Sequence, residues 1–279
     1  MQNQRFIAPT LWETDFFHKC PAFQLLTTQF PLLQQSDFPS LSTLNNWLAQ
    51  RAVSDVRFVS QQVLNDDGRY YETFIAQTGQ IPTREQNWHD LFGALIWSLF
   101  PNSKAELNRL HQRELLQQTG KERSKLRHQL TLFDECGVLV LYTAQAQPLI
   151  DALREHQWQH VMWQCADEWS LVCDTKSSGL CAWSFGHANF EMLTRPYLGL
   201  TGKMYPLEVP DDFFAKPLSA QIQFVDTELC KQIASSSATQ LRARMSPLPL
   251  LGIPGWYAQD AEFYQNSAYF RPKRQVGHA

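Results

Sequence analysis

The alternation of apolar and polar positions predicts a chain built mainly from helices. In WHDLFGALIWSLF, Trp88, Leu91, Phe92, Leu95, Ile96 and Leu99 recur at helical spacing. Asn87 stands where a helix cap belongs, Asp90 follows three residues on as in a capping box, and Pro101 ends the pattern. Leu41, Leu44, Trp47 and Leu48 line one face of an earlier helix, which Ser40 or Ser42 would cap and which runs to about Arg51. The alternation in DVRFVS predicts a short strand near residues 56–59. Asn65-Asp66-Asp67-Gly68 reads as a turn into a helix carrying Tyr70, Tyr71, Phe74 and Ile75, with Gly79 as its left-handed stop. Ser103 and Glu106 have the spacing of a second capping box, opening a helix to about Gln118, and residues 117–125 form the best candidate for an internal loop.

Beyond that loop, LTLFDECGVLVLYT predicts a strand, or a helix end feeding one, with a turn around Glu135-Cys136-Gly137. Pro148 starts a helix to about His156, residues 158–173 fit helix and strand equally, and Ser184 would cap a helix through Leu193. From Thr201 onward prolines recur, at 206, 210, 217, 247, 249 and 254, and only residues 226–243 keep a helical pattern. The expected fold class is α+β: a helix-dominated single compact domain with a few short strands and a loop-rich C-terminal third. Residues 1–39 would form an irregular arm, 40–200 the main α+β core, and 201–279 a Pro-rich part packed on that core.

Composition refines this picture. Nine tryptophans are spread along all 279 residues, which suits bracing of helix contacts better than a ligand-stacking platform. A net charge of −3 gives no global footprint for nucleic acid or anionic lipid. No apolar run approaches the ~20 residues of a membrane span, and the N-terminal stretch lacks the pattern of a signal peptide. A cytoplasmic protein without membrane insertion is therefore expected. Cys165, Cys173 and Cys181 are spaced by eight but lack the close pairs of a zinc knuckle, so buried thiols are the reading for them. The short basic runs KERSKLR and RPKR read as a solvated connector and a tail.

Five segments carry a resemblance: TGQIPTREQNWHDLFGALIWSLFPNSKAELNRLH (78–111), LRHQLTLFDECG (126–137), FGHANFEML (185–193), PLPLLGIPGW (247–256) and FYQNSAYFRPKR (263–274). Together they resemble a bacterial family catalogued as domain of unknown function family 3025. The family tends to have Asn where Gly93 stands and Asp where His128 stands. The resemblance implies one family domain over most of the chain and implies no activity.

Candidate chemistry rests on a few polar residues in apolar company. His89 lies in the first turn of the strongest helix, where the positive end of the helix dipole should keep its imidazole neutral, as a ligand or base requires; a ring that merely closes the helix start is the plainer alternative. His187 and Glu191 share a helix face, as two metal ligands or an oriented histidine would, or as a local surface pair. Asp134 and Glu135 precede a glycine, which fits turn chemistry, but either could be a third ligand or an acid–base group. For Asp90 capping is preferred, and for His111 with Glu114 a solvated pair. Arg84, Lys104, Arg127, Arg271 and Arg274 could form an anion pocket for a small molecule. No P-loop, dinucleotide fingerprint, H-E-x-x-H or nucleophile elbow is present. The leading expectation is a hydrolase in which His89, His187 and Glu191, with Asp134 or Glu135, hold a divalent metal or act as acid and base. The alternatives are a binding protein for a nucleotide or RNA, and an interaction scaffold. Convergence of His89, His187 and Glu191 within about 5 Å would favour the enzyme.

Overall fold

Helical periodicity becomes helix wherever an apolar face and a cap coincide. The computed structural model describes residues 6–118, 122–172, 179–257 and 259–273. The N-terminal arm contains two short helices, α1 (Asp15–Lys19) and α2 (Gln24–Gln29), which bury Phe16, Phe17, Leu25 and Leu26. Trp12 anchors it by stacking on Trp88, with ring centroids 4.8 Å apart. In α3 (Leu41–Gln50) the Ser40 hydroxyl accepts the Thr43 amide, as its spacing predicts. Strand β1 (Arg57–Ser60) leads into α4 (Gln61–Asp67), a helix where only a turn is predicted. Gly68, at φ 75°, is its left-handed stop, so the polar cluster marks a helix end. Then follow α5 (Tyr71–Thr78), stopped by Gly79, and β2 (Gln80–Thr83), which pairs parallel with β1.

Pro101 joins α6 (Trp88–Leu99) to α7 (Pro101–Gln117), ending one helix and supplying the first position of the next, where its missing N–H costs nothing. The predicted box at Ser103 and Glu106 does not form. The Asn102 and Ser103 amides instead donate to the buried Asp226 carboxylate at 3.0 and 2.8 Å, and Glu106 pairs with Arg109. A distant side chain thus satisfies the unpaired donors of the first turn. Helix α8 (Lys125–Cys136) runs straight through the residues expected to turn. Asp134 and Glu135 lie in its last turn, and Gly137, at φ −65°, opens β3 (Gly137–Tyr142).

Next come α9 (Gln147–Arg154), β4 (Trp169–Ser170), β5 (Leu180–Ser184) and α10 (His187–Leu193). Ser184 ends the strand and does not cap α10; Gly186 holds the cap position. The C-terminal part supplies β6 (Thr201–Glu208), α11 (Leu218–Ala234), α12 (Ala238–Arg244), β7 (Ser246–Pro249) and α13 (Ala261–Tyr264). It is more regular than its prolines suggest, since Pro206, Pro247 and Pro249 lie within strands.

The larger sheet has the order β4-β5-β3-β6-β7, with β3 antiparallel to β5 and parallel to β6. Every residue of β3 is buried. One contiguous core joins arm, helices and sheet in a single helix-dominated α+β domain. Seven of the nine tryptophans are buried, Trp12 is half-buried and Trp163 exposed. Among the described residues no helix is long and apolar enough to cross a membrane. Cys181 is buried and Cys165 half-buried, so that expectation holds at only one of the two; Cys173 lies outside the described residues.

Candidate metal centre

Three helix ends bring the polar residues together. His89 comes from the first turn of α6, Asp134 and Glu135 from the last turn of α8, and His187 opens α10, with Glu191 one turn on. One glycine, Gly186, permits the approach. A Cβ on Gly186 would stand 2.6 Å from the Cys136 amide nitrogen, so only glycine lets α10 begin against the end of α8. A Cβ on Gly93 would be 3.7 Å from the His187 ring, in ordinary contact, so α6 lies close along the imidazole.

Within this junction the two imidazole centroids are 4.4 Å apart. His89 Nδ1 lies 3.1 Å from Glu191 Oε2, and His89 Nε2 lies 3.7 Å from Glu135 Oε2. The same Glu135 oxygen is 3.4 Å from His187 Nε2. His187 Nδ1 is 3.0 Å from the Asp134 main-chain carbonyl. A carbonyl can only accept, so Nδ1 carries the proton and the Nε2 lone pair faces Glu135. One ligand-type atom from each of His89, Glu135 and His187 lies within 4.8 Å of the other two.

The two histidines differ in charge preference. Burial drives His187 down to about 3 against the pull of Asp134, with Lys104 and His89 adding to the fall. His89 behaves otherwise than its helix position predicts. Burial pulls it down, but the Glu191 hydrogen bond and the charges of Glu135, Glu191 and Asp90 outweigh burial and raise it above the ordinary histidine value. Burial raises Glu135, with His89 opposing, while burial of Asp134 is overcome by Lys104 and His187, leaving its carboxyl below the usual range. Lys104 is buried, its ammonium paired with Asp134 and near the Trp97 ring.

The site opens into a cavity of about 580 Å³, whose walls also carry Glu72, Lys104, Asn108 and His111. His111 is buried, not solvated as expected, and its Nδ1 stands 3.8 Å from the Glu72 carboxylate, beyond hydrogen-bond reach. Burial lowers it to about 4. Its helical spacing from Leu107 and Lys104 on α7 is the signal that could have marked it. Glu114, its expected partner, accepts from the Ser124 hydroxyl.

The predicted anion set does not assemble. Arg84 forms a two-point pair with Asp90, whose carboxylate is therefore engaged by arginine instead of completing a capping box; only the Asn87 half of that box forms. Arg127 is buried, bonded to Gln118 and Tyr70, which removes it from the solvated connector expected there. Arg271 donates to the Ala268 carbonyl, and Arg274 lies outside the described residues.

A family model described as a protein of unknown function (DUF3025) matches residues 56–274. No curated protein and no solved structure matches the chain.

Proposed function

The chain belongs to the DUF3025 family, whose description names no activity, and we propose from its site that it is a metal-dependent hydrolase in which His89, His187 and Glu135 hold one divalent cation. One observation carries the reading. His187 Nε2 and Glu135 Oε2 face each other at 3.4 Å, although the histidine's proton is committed to the Asp134 carbonyl. Two acceptors in that position repel unless a proton or a cation lies between them. With burial holding His187 neutral, a cation suits the gap.

Tetrahedral zinc with bonds of roughly 2.0–2.1 Å needs ligand atoms about 3.4 Å apart. The two contacts to Glu135 measure 3.4 and 3.7 Å. Each histidine also has its other nitrogen held by an acceptor, the arrangement that orients metal-bound imidazoles. In this reading Glu135 is the third ligand and Glu191 orients His89. Without metal, His89 carries a proton between Glu191 and Glu135, and metal uptake releases that proton. The cation would polarise a water towards hydroxide. Lys104, fixed by Asp134, adds positive charge where a substrate oxyanion develops. Two histidines and a carboxylate also suit ferrous iron, so metal identity is part of the test. The same reading assigns the enzyme to the bacterial cytoplasm, in keeping with Cys20, Cys136, Cys165 and Cys230 outside any disulfide.

Untagged protein purified without chelator should contain close to one zinc or iron per chain by elemental analysis. His187→Ala and Glu135→Ala should each abolish the content while keeping the wild-type circular dichroism spectrum. Wild-type protein that stays metal-free and takes up none of zinc, iron or manganese on titration would end the proposal.

A further inference from the structure

A second concavity, of about 780 Å³, lies where α8 and α12 meet across Lys203 of β6. Arg123, Lys125, Lys203 and Arg242 line it together with His128, and none of its described lining residues is a carboxylate. Elsewhere exposed cations pair readily, as Lys19 does with Asp15, Lys216 with Asp212 and Lys273 with Glu155. Among the described residues, none of the four groove cations has an acid within ion-pairing distance. A chain with net charge −3 has thus gathered four unneutralised cations in one groove. Their mutual repulsion favours an anionic occupant.

We propose that this groove binds a single strand of nucleic acid by its phosphates. The four cations come from three separate elements and the loop before α8, a spread that suits successive phosphates of a chain better than one small anion. Among the groove's described lining residues there is no Phe, Tyr or Trp, and His128 offers one ring at most, so the grip lies mainly on the backbone and is largely independent of sequence. No large exposed apolar side chain lies in it either, which disfavours a lipid surface. Arg123 lines both this groove and the cavity holding the candidate metal centre, so a bound strand runs up to that cavity. The net charge missed this surface because it averages over the whole molecule.

The test uses the full chain in EDTA, which separates it from the metal reading. Anisotropy of a fluorescein-labelled 20-nucleotide thymidine strand is followed from 50 to 200 mM salt. Four phosphate contacts on a single strand predict a log–log slope of about −2.8, an affinity loss of roughly 50-fold over that range. Lys203→Gln with Arg242→Gln should halve the slope and weaken binding at 50 mM at least tenfold. Lys231→Gln, on an exposed position outside the groove, should change neither. No binding of the strand at 50 mM salt would overturn the proposal, as would equal weakening by the control variant. Binding of inorganic polyphosphate without the strand would overturn it too. Strand binding by a protein that takes up no metal leaves the groove standing and removes the hydrolase.

Discussion

A histidine that binds metal through one nitrogen is oriented through the other, and in the proposed centre two different acceptors would do this. For His187 the acceptor is a main-chain carbonyl, which no side-chain substitution removes. For His89 it is the Glu191 carboxylate, which can be changed alone. Glu191→Gln keeps the shape and an amide oxygen but loses the charge. It should weaken zinc binding about 10–100-fold, measured by competition with a chromophoric chelator, without changing stoichiometry. An unchanged affinity would show that Glu191 does not orient the ligand. The sequence made His89, His187 and Glu191 legible because each stands on a recognisable helix face. Glu135 was legible only as one of two: Asp134 and Glu135 before a glycine look like a turn with either acid as a possible third ligand, and only the register of α8 against α10 turns Glu135 towards both rings. The direction in which the pKa of His89 shifts escapes the sequence for a related reason. A local dipole argument sees the start of α6 and cannot see carboxylates arriving from two other helices.

At the scale of elements, the site depends on how closely α10 begins against the end of α8. Gly186 sets that distance. In Gly186→Ala the new methyl would meet the Glu135–Cys136 backbone, which has no flexible end to move aside. The expected cost is about 1–3 kcal/mol by chemical denaturation, with metal content below half of wild type. Gly68→Ala is the control, since its Cβ meets nothing within 4 Å and carries only the strain of φ 75°. Retained metal content in Gly186→Ala would mean that the junction tolerates more space than its contacts suggest. The same scale shows which elements could be read in advance. Helices α3, α5 and α6 announce themselves through local caps and periodicity. Strand β5 does not, because LCAWS is buried throughout and shows no alternation. Strand β6 is hidden by Pro206, which pairs opposite Val140. Pro101 and the Ser103 spacing announce α7 to within two residues, but the acceptor for its first amides is Asp226, more than a hundred residues away, which no local pattern could reveal.

For the whole molecule, the buried charges of the cavity make stability depend on pH. His111 on α7 is the clearest contributor outside the candidate ligands. Glu72 faces it at 3.8 Å, and its pKa is depressed to about 4, first by burial and then by Arg123, Arg127 and Lys104, with Asp134 opposing. Between about pH 6.5 and 4 the unfolded chain therefore binds a proton on this residue that the folded chain does not. Stability rises with pH across that window and is lost as pH falls through it. At 1.36 kcal/mol per unit, the limit for this one group is about 3 kcal/mol. Glu72 works the other way, because burial raises its pKa and the folded state gains protons first on acidification. A single acid-denaturation curve would mix the two, together with His89 and His187. The informative quantity is the difference between wild type and His111→Gln, both in EDTA, with unfolding free energy from urea titrations at each pH. The variant should lose less stability than wild type between pH 6.5 and 4, by up to about 3 kcal/mol, and the two curves should run parallel above pH 7. Parallel curves throughout would mean that His111 protonates as easily in the folded chain as in the unfolded one. The cavity wall would then open to water at little cost, a property that bears directly on how a substrate would reach the junction of α6, α8 and α10.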